Sequence, residues 1–165
     1  MAFLLTITPE LFGIKASNTT VQMPPHWSLQ ARCVENDVNT CSFLLQVVAL
    51  SKKNQRDSKD LLLALEKLFE VAKTGQPVAN FYDVKQCHVA HEFKVEGVVQ
   101  KIWRIRKNAI RIYFYYCEGK IIYLTTVLAK RSDKLKAGEL KQLEEEVEIY
   151  LKAKASQQIK AVRVN

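Results

Sequence analysis

The chain has 165 residues, 48% of them hydrophobic, and carries a formal net charge of +8. This length and composition are typical of one globular domain with a substantial core, and they exclude a disordered chain. The positive charge favours an acidic partner such as nucleic acid. The sequence has no apolar run of bilayer-crossing length and no signal-peptide pattern, so we expect a cytoplasmic protein without membrane contact.

The first 40 residues have the weakest pattern. A short strand is predicted over residues 3–8, stopped by Pro9, and a polar loop over residues 18–25. A second strand is predicted over residues 28–34. We interpret residues 1–40 as an N-terminal extension of a single domain, with a core over residues 41–152.

Two helices are predicted next. Residues 41–51 are apolar at nearly every position, which suits a buried helix or a strand, and we favour a helix. After a charged connection, Ser58 is a candidate N-cap for a second helix. This helix has a regular apolar stripe and ends before Gly75 and Pro77.

Residues 78–98 read as a long connection that contains His88 and His91. On a helix their spacing would place them on one face, but no third ligand stands at a recognised spacing, so we predict no metal and no cofactor. Both histidines remain candidate acid–base groups because histidine titrates near neutral pH. The four cysteines lack metal-site or disulfide spacing and are interpreted as reduced thiols.

The stretch from Lys101 to Arg131 predicts three consecutive antiparallel strands, because β-branched and aromatic residues alternate with basic ones. If residues 107–110 close the first hairpin, Arg106 pairs with Arg111. If Glu118-Gly119 closes the second, Tyr113 pairs with Leu124.

Alternation then divides the side chains between the two faces of the sheet. One face is predicted to be a core face, with Trp103, Ile105, Ile112, Phe114, Tyr116, Ile121, Tyr123 and Val127. The other is basic and aromatic, as in proteins that hold phosphates and bases, with Arg104, Arg106, Arg111, Tyr113, Tyr115 and Lys130. A solvated structural surface is the alternative interpretation of that second face.

A last helix is predicted after Ser132-Asp133, with one apolar stripe that includes Leu143 and Val147. Residues 153–165 are predicted to form a basic tail that frays. No Walker loop, GxGxxG, GxSxG or HExxH motif is present, which disfavours nucleotide-dependent enzymes and common hydrolases.

The order of these segments resembles a known family. W-R-I-R, A-I-R-I-Y-F, K-I-I-Y-L-T-T-V-L-A-K-R and a helix opening A-G-E-L are similar to the RelE/HigB-like toxins of type II toxin–antitoxin systems, especially the phage-derived HigB branch. The resemblance spans roughly residues 45–152. It implies a compact α+β fold, with helices on one face of a twisted, mainly antiparallel sheet and a C-terminal helix.

The resemblance also implies a function. Most family members are ribosome-dependent, metal-independent endoribonucleases that cut mRNA and are neutralised by a cognate antitoxin protein. The expected partners are therefore mRNA, the ribosome and an antitoxin. A ParE-like toxin that binds DNA gyrase and an inactive RNA- or protein-binding module are the alternatives.

The family's site residues carry over by position. Arg111 matches the arginine that binds the scissile phosphate, and Arg131, accompanied by Lys130, matches the basic residue after the last strand. Arg104 falls where some members carry a lysine base, and Arg106 matches a second basic position. The tyrosine or histidine that many members place after the last strand has no counterpart, since Lys134, Lys136 and Ala137 lie there. Lys134 and Lys136, like Arg106, are candidates for RNA binding.

Metal-free RNA cleavage needs a base, an acid and cations around the phosphate. Arginine does not titrate usefully, so the arginines are candidates for electrostatic stabilisation only. His88, His91 or a lysine with a lowered pKa is left as base and acid, and a lysine or histidine between Lys85 and His91 is the candidate for the acid. Tyr113 and Tyr115 are candidates for base stacking.

Overall fold

The computed structural model describes residues 1–15, 25–132 and 134–164, so the predicted loop at 18–25 lies outside the described residues except for Pro25. The strands are β1 Ala2–Thr6, β2 Ser28–Cys33, β3 Cys87–Val95, β4 Val98–Lys107, β5 Ile110–Cys117, β6 Ile121–Ala129 and β7 Ile159–Val162. The helices are α1 Ser42–Lys53, α2 Gln55–Thr74 and α3 Ala137–Ala155. Short 3-10 turns cover Pro9–Phe12, Val38–Thr40 and Val78–Phe81.

The described strands form one mixed sheet in the order β3-β4-β5-β6-β2-β1-β7. Neighbouring strands are antiparallel except for the β2/β6 and β1/β7 pairs, which are parallel. The expected compact RelE-like fold is therefore wrong, since that fold has a small sheet of three or four strands and this sheet has seven.

The two ends of the chain belong to this sheet. β2 pairs with β6, and β1 lies between β2 and β7, so residues 1–40 supply two strands and are not an appended extension. The predicted fraying of residues 153–165 is also wrong, because β7 pairs with β1 from Ala2↔Ile159 to Leu5↔Val162. The partners in these pairs lie far apart in the chain. The residue pattern of a short strand does not indicate which distant strand it pairs with, so the sequence did not predict these pairs.

The helices lie on both faces of the sheet, not on one as expected. Apolar residues of α1 and α2 join β-strand residues in one core cluster, and we call this side the α1/α2 face. Leu143, Val147 and Tyr150 of α3 join Tyr113 and Tyr123 in a second cluster on the opposite side, which we call the α3 face. Both faces of the central strands are thus buried.

The helix boundaries differ from the predicted ones at their first turns. α2 begins after Asn54, whose side-chain Oδ1 accepts hydrogen bonds from the N–H groups of Arg56 and Asp57, so Ser58 is not the N-cap. α2 ends as predicted at Gly75, where a positive φ of 67° closes the helix. A side chain there would also meet the carbonyl oxygen of Pro25, since an added Cβ would lie 1.9 Å from it.

The start of α3 also differs from the prediction. The helix is preceded by Lys136, and the side chain of Glu139 accepts a hydrogen bond from the Lys136 N–H. The predicted cap at Ser132-Asp133 therefore does not adjoin the first helical residue, Ala137. Asp133 itself lies outside the described residues.

The segment predicted as a long connection contains one strand of a hairpin. Residues 78–98 contain β3, which pairs with β4 from Cys87↔Ile105 to Val95↔Val98. A bulge between Val89 and His91 interrupts the strict alternation, and this irregularity hides the strand from a period-two pattern.

The central hairpins agree only in part with the predicted register. Arg106↔Arg111 and Arg104↔Tyr113 pair as predicted. In the second hairpin, Cys117 pairs with Ile121, and Tyr113 pairs with Thr126 instead of Leu124, because the loop has three residues and a bulge follows Tyr113.

The core face is largely as predicted. Ile105, Ile112, Phe114 and Val127 belong to the α1/α2 cluster together with Leu61, Leu65, Leu68 and Phe69 of α2, and Trp103 packs against it. Ile121 and Tyr123 are the exceptions, since both pack on the α3 face. The changed register of β6 accounts for their placement.

Candidate nucleic-acid interface

The predicted basic and aromatic face is not an open surface. α3 packs over this side of the sheet, where Arg104 and Arg111 are each 2% exposed and Tyr113 is 0% exposed. Tyr115 is also buried, and its hydroxyl donates a hydrogen bond to Gln100 Oε1. The expectation that these four side chains form an accessible RNA platform is wrong, because a tyrosine without exposed surface has no free ring face for a base.

Both buried arginines have local backbone partners. Arg111 Nη1 donates to the carbonyl oxygens of Asn108 and Ile110, which belong to the β4–β5 turn and its first strand residue. Arg104 Nη2 donates to the Lys85 carbonyl oxygen at 2.7 Å and lies 3.3 Å from His88 Nδ1. In this structure the two guanidinium groups therefore stabilise the chain around the β4–β5 turn and the start of β3.

Six of the exposed cations lie together at one end of the sheet, which we call the basic end. It comprises six exposed residues from three segments: Lys85, Arg106, Lys107, Arg131, Lys134 and Lys136. Backbone hydrogen bonds connect these segments, since the Arg106 N–H donates to Gln86 O and the Lys130 N–H donates to Ala109 O, each at 2.7 Å. The β4–β5 turn thus lies between the start of β3 and the segment that follows β6.

A cleft of about 440 Å³ opens at the basic end between β6 and α3. Arg131, Lys134 and Lys136 line it together with Ala129, Lys130, Ser132, Leu135 and the one acidic residue of its lining, Glu139. The Arg131 side chain is 73% exposed, and its nearest described carboxylate is Asp57 Oδ2 at 3.7 Å. Long, exposed cations around a shallow cleft are suited to contacts with a phosphate backbone.

Lys130 differs from its neighbours because it is bound within the protein. Its Nζ lies 2.6 Å from Glu139 Oε1, and its side chain is only 9% exposed. Partial burial disfavours the charged form of Glu139, but the hydrogen bonds from Lys130 and the Lys136 N–H and the nearby positive charges together lower the pKa of Glu139. Lys130 is thus placed to fix α3 onto the end of β6.

The two histidines do not share a helix face, because both belong to β3. His88 Nδ1 lies 2.8 Å from the Val84 carbonyl oxygen, and His88 pairs with Arg104 across the strands. His91 Nε2 lies 3.4 Å from Glu144 Oε2 of α3, and its ring stacks on Phe93. No group of three or more potential metal ligands occurs among the described residues.

The cysteines are all free and buried. Burial raises the pKa of Cys33 and Cys117 to about 12 and that of Cys87 to about 11, and it also raises the pKa of Cys41. These thiols are consequently protonated at neutral pH and are poor nucleophiles.

Sequence reasoning located part of the basic end. Arg106, Arg131, Lys134 and Lys136 are candidates from the sequence, whereas Lys107 lies at the end of β4, beyond the residues that alternation assigns to a face. Lys85 lies just before β3, in a segment that the pattern assigned to a connection. A count of cations near the predicted turns is the signal that would have found Lys107, whereas Lys85 belongs to the segment up to His91 that the sequence offers as a source of the general acid.

The sequence matches no protein-family model and, at a significant level, no curated protein. The resemblance to RelE/HigB-like toxins therefore stays a prediction from residues 45–152. None of the helices in the described part of the chain has both the length and the hydropathy required to cross a bilayer.

Proposed function

We propose that this chain binds RNA through the basic end. The observation that carries the proposal is the group of six exposed cations from three segments of the chain. Three of these cations line the cleft between β6 and α3. Contacts to phosphates supply most of the affinity of such surfaces, and the net charge of +8 adds attraction at longer range. The basic end takes the place of the sheet face as the site of contact.

The cellular role that we propose follows the residue-level resemblance. The chain acts in the cytoplasm as the toxin of a type II toxin–antitoxin system, inhibits translation by acting on mRNA at the ribosome, and is neutralised by a cognate antitoxin. Support comes from the strand motifs between Arg104 and Arg131 and from the position of Arg131 in the cleft. The difference in fold removes the support that a shared architecture would have given.

The binding proposal is tested by the salt dependence of affinity for a single-stranded RNA. In the triple variant Lys107→Gln/Lys134→Gln/Lys136→Gln, the slope of log affinity against log salt concentration is expected to fall by roughly two, because each lost phosphate contact removes about 0.7. The measurement is fluorescence anisotropy with labelled RNA over a salt series.

The matched control removes the same charge elsewhere. Lys152→Gln/Lys154→Gln/Lys160→Gln changes three exposed lysines at the end of α3 and in β7. This variant is expected to keep most of the parent's slope. An equal loss of slope in both variants contradicts a localised site, because it shows that overall charge alone governs binding.

A second, finer proposal is that the chain cleaves RNA, and the surroundings of His88 favour it. His88 Nδ1 lies 2.8 Å from the Val84 carbonyl oxygen and 3.3 Å from Arg104 Nη2. The shorter contact is to an acceptor, so it favours the tautomer in which Nδ1 carries the hydrogen. That tautomer leaves Nε2 with a lone pair, as a general base for a ribose 2′-hydroxyl requires. Arg104, hydrogen-bonded to Lys85 O beside it, and the exposed Arg106 supply positive charge nearby.

The test of cleavage separates chemistry from binding. His88→Ala is expected to lower the rate of RNA cleavage by about a hundredfold to ten-thousandfold, the usual contribution of a general base, and to leave RNA affinity nearly unchanged. His91→Ala is the matched control on the same strand, and it is expected to retain cleavage. Equal rates in the two variants contradict the assignment of His88.

Induced expression in bacteria tests the cellular role. Growth arrest with mRNA cut inside translated codons supports the ribonuclease toxin. Arrest with a DNA-damage response and intact mRNA supports a gyrase-binding toxin instead. Normal growth with retained RNA binding supports a non-catalytic binding module, an alternative that the burial of Arg104 and Arg111 favours.

A further inference from the structure

The edge of the sheet at β3 has features that suit pairing with another strand. β3 is nine residues long and is the outermost strand on its side of the described sheet. An edge strand presents backbone N–H and C=O groups that no neighbour within the sheet satisfies, and natural proteins usually shorten, cover or charge such edges. The opposite edge, β7, has only four residues.

The hairpin geometry fixes which backbone groups point outward from β3. Val95 pairs with Val98 across the tight turn Glu96-Gly97, where both residues have positive φ. A two-residue turn of this kind is flanked by a hydrogen-bonded pair, so the N–H and C=O of Val95 point toward β4. By alternation, those of Glu92 and Lys94 point away from the sheet and are placed to accept a new strand.

We propose that two copies of this chain dimerise by antiparallel pairing of their β3 strands around a two-fold axis at Phe93. In this register Glu92 of each copy lies opposite Lys94 of the other, so both outward-pointing residues form hydrogen-bonded pairs with opposite charges. The side chains of both residues are exposed, and Glu92 makes a long ion pair of 3.9 Å with the half-exposed Lys101.

Charge selects this register over its neighbours. A two-fold axis perpendicular to the sheet must lie midway between the two copies of one residue. Any other register would place side chains that belong to opposite faces of the sheet across from each other. An axis at Glu92 places two carboxylates opposite each other, and an axis at Lys94 places two ammonium groups together. An axis at His91 would extend the pairing through the bulge between Val89 and His91.

The neighbouring surface adds apolar contact. Phe93 is half-buried against the α3 cluster and would meet its own copy at the axis. Val99, opposite Lys94 in β4, is 49% exposed. A groove of about 520 Å³ lies on the α3 face beside the hairpin, where Val95, Leu151 and Ala155 line it together with Glu96, Glu148, Lys152 and Ser156. The perpendicular axis places both copies of α3 on the same side of the joined sheet.

Sedimentation velocity over a dilution series tests the proposal. The parent is expected to change from dimer to monomer on dilution. Lys94→Glu places carboxylates opposite each other twice, and the dissociation constant is expected to rise roughly tenfold or more, since cross-strand pairs change from attraction to repulsion. The exchanged variant Glu92→Lys/Lys94→Glu restores opposite charges and is expected to dimerise like the parent.

Lys160→Glu on β7 is the control for net charge, and it is expected to dimerise normally; circular dichroism establishes that each variant is folded. The proposal is overturned by a parent that stays monomeric at every soluble concentration. It is also overturned by a folded Lys94→Glu that dimerises as the parent does, or by an exchanged variant that fails to recover. RNA affinity does not enter these measurements, so their outcome is independent of the proposed function.

Discussion

The two faces of the sheet bury their side chains in different ways. The α1/α2 face is a continuous apolar cluster that runs from Leu5 and Leu29 to Phe114 and Val127. The α3 face has a smaller apolar cluster with three tyrosines of the sheet, and it buries an ion pair between the sheet and α3. Buried charge is not confined to this side, since Asp57 and Asp60 of α2 are also buried. The first face is stabilised mainly by area removed from water, whereas the second depends on specific polar partners.

The clearest example on the α3 face is a network around Glu146 of α3. Arg32 of β2 binds both carboxylate oxygens, with Nη2 at 2.8 Å from Oε1 and Nε at 3.0 Å from Oε2. The Tyr123 hydroxyl donates to Oε2 at 2.8 Å. The hydrogen bond to Glu146 is the largest influence that raises the pKa of Arg32, and burial raises the pKa of Tyr123 well above its ordinary value.

The largest expected effect comes from breaking this network. Glu146→Leu removes the acceptor and leaves the partly buried Arg32 guanidinium and the buried Tyr123 hydroxyl without it. Removing one partner of a fully buried ion pair typically costs about 3–5 kcal/mol, and because Arg32 is only partly buried, the free energy of unfolding is expected to fall by about 3 kcal/mol. Urea denaturation followed by circular dichroism measures it.

Rescue shows whether the cost is specific to the lost partners. The triple variant Arg32→Met/Tyr123→Phe/Glu146→Leu removes every polar member, and it is expected to recover most of the lost stability, because apolar replacement of a buried ion pair is often neutral. A triple variant as unstable as Glu146→Leu would mean that α3 depends on packing volume and not on the network.

A smaller effect is expected on the apolar face. Ile112 is 0% exposed in the middle of β5, and Ile112→Val removes one methylene group from its cluster. The expected loss of unfolding free energy is about 0.5–1.5 kcal/mol, measured by the same urea titration. A loss beyond about 3 kcal/mol would contradict the comparison, because it would show that this face is as specific as the polar one.

The two faces also show which features of the fold can be predicted from the sequence. Alternation placed Trp103, Ile105 and Phe114 on one face and Arg104 and Tyr113 on the other, and the strand pairs in the first hairpin confirm it. Strand alternation is a local property, and a residue pattern reports it directly. Coverage of a face is a tertiary property, and the narrow apolar stripe of α3 did not reveal which side of the sheet it covers.

The errors in the candidate site have the same physical origin. Exposed arginines and arginines that bind backbone carbonyl oxygens look identical in a sequence, so Arg111 and Arg131 seemed equivalent although one is 2% exposed and the other has a side chain 73% exposed. The seven-stranded sheet depends on the parallel pairs β2/β6 and β1/β7, whose partners lie far apart in the chain. Local periodicity contains no information about such partners.

The smallest expected effect concerns the place where the basic end meets the α3 face. Glu139 accepts from Lys130 Nζ at 2.6 Å and from the Lys136 N–H at 2.9 Å, and its pKa is lowered. A carboxylate with a lowered pKa in the folded state stabilises the protein at pH values above its ordinary pKa of 4.5, and this contribution is lost as the pH falls through the lowered value. At pH 7 the contribution is therefore fully present.

Glu139→Gln is accordingly expected to destabilise the protein at pH 7 by about 1 kcal/mol or less, as is usual for a partly exposed pair. The difference from the parent should shrink as the pH is lowered below the ordinary carboxyl value, because the parent's carboxylate becomes protonated and resembles the amide. Urea titrations of both proteins over a pH series measure this convergence. Glu145→Gln is the control, since this carboxylate lies 3.9 Å from Lys141 Nζ and both side chains are more than half exposed. If the loss of unfolding free energy in Glu139→Gln stays constant at acid pH, the side chain acts through its hydrogen-bond geometry and not through its charge.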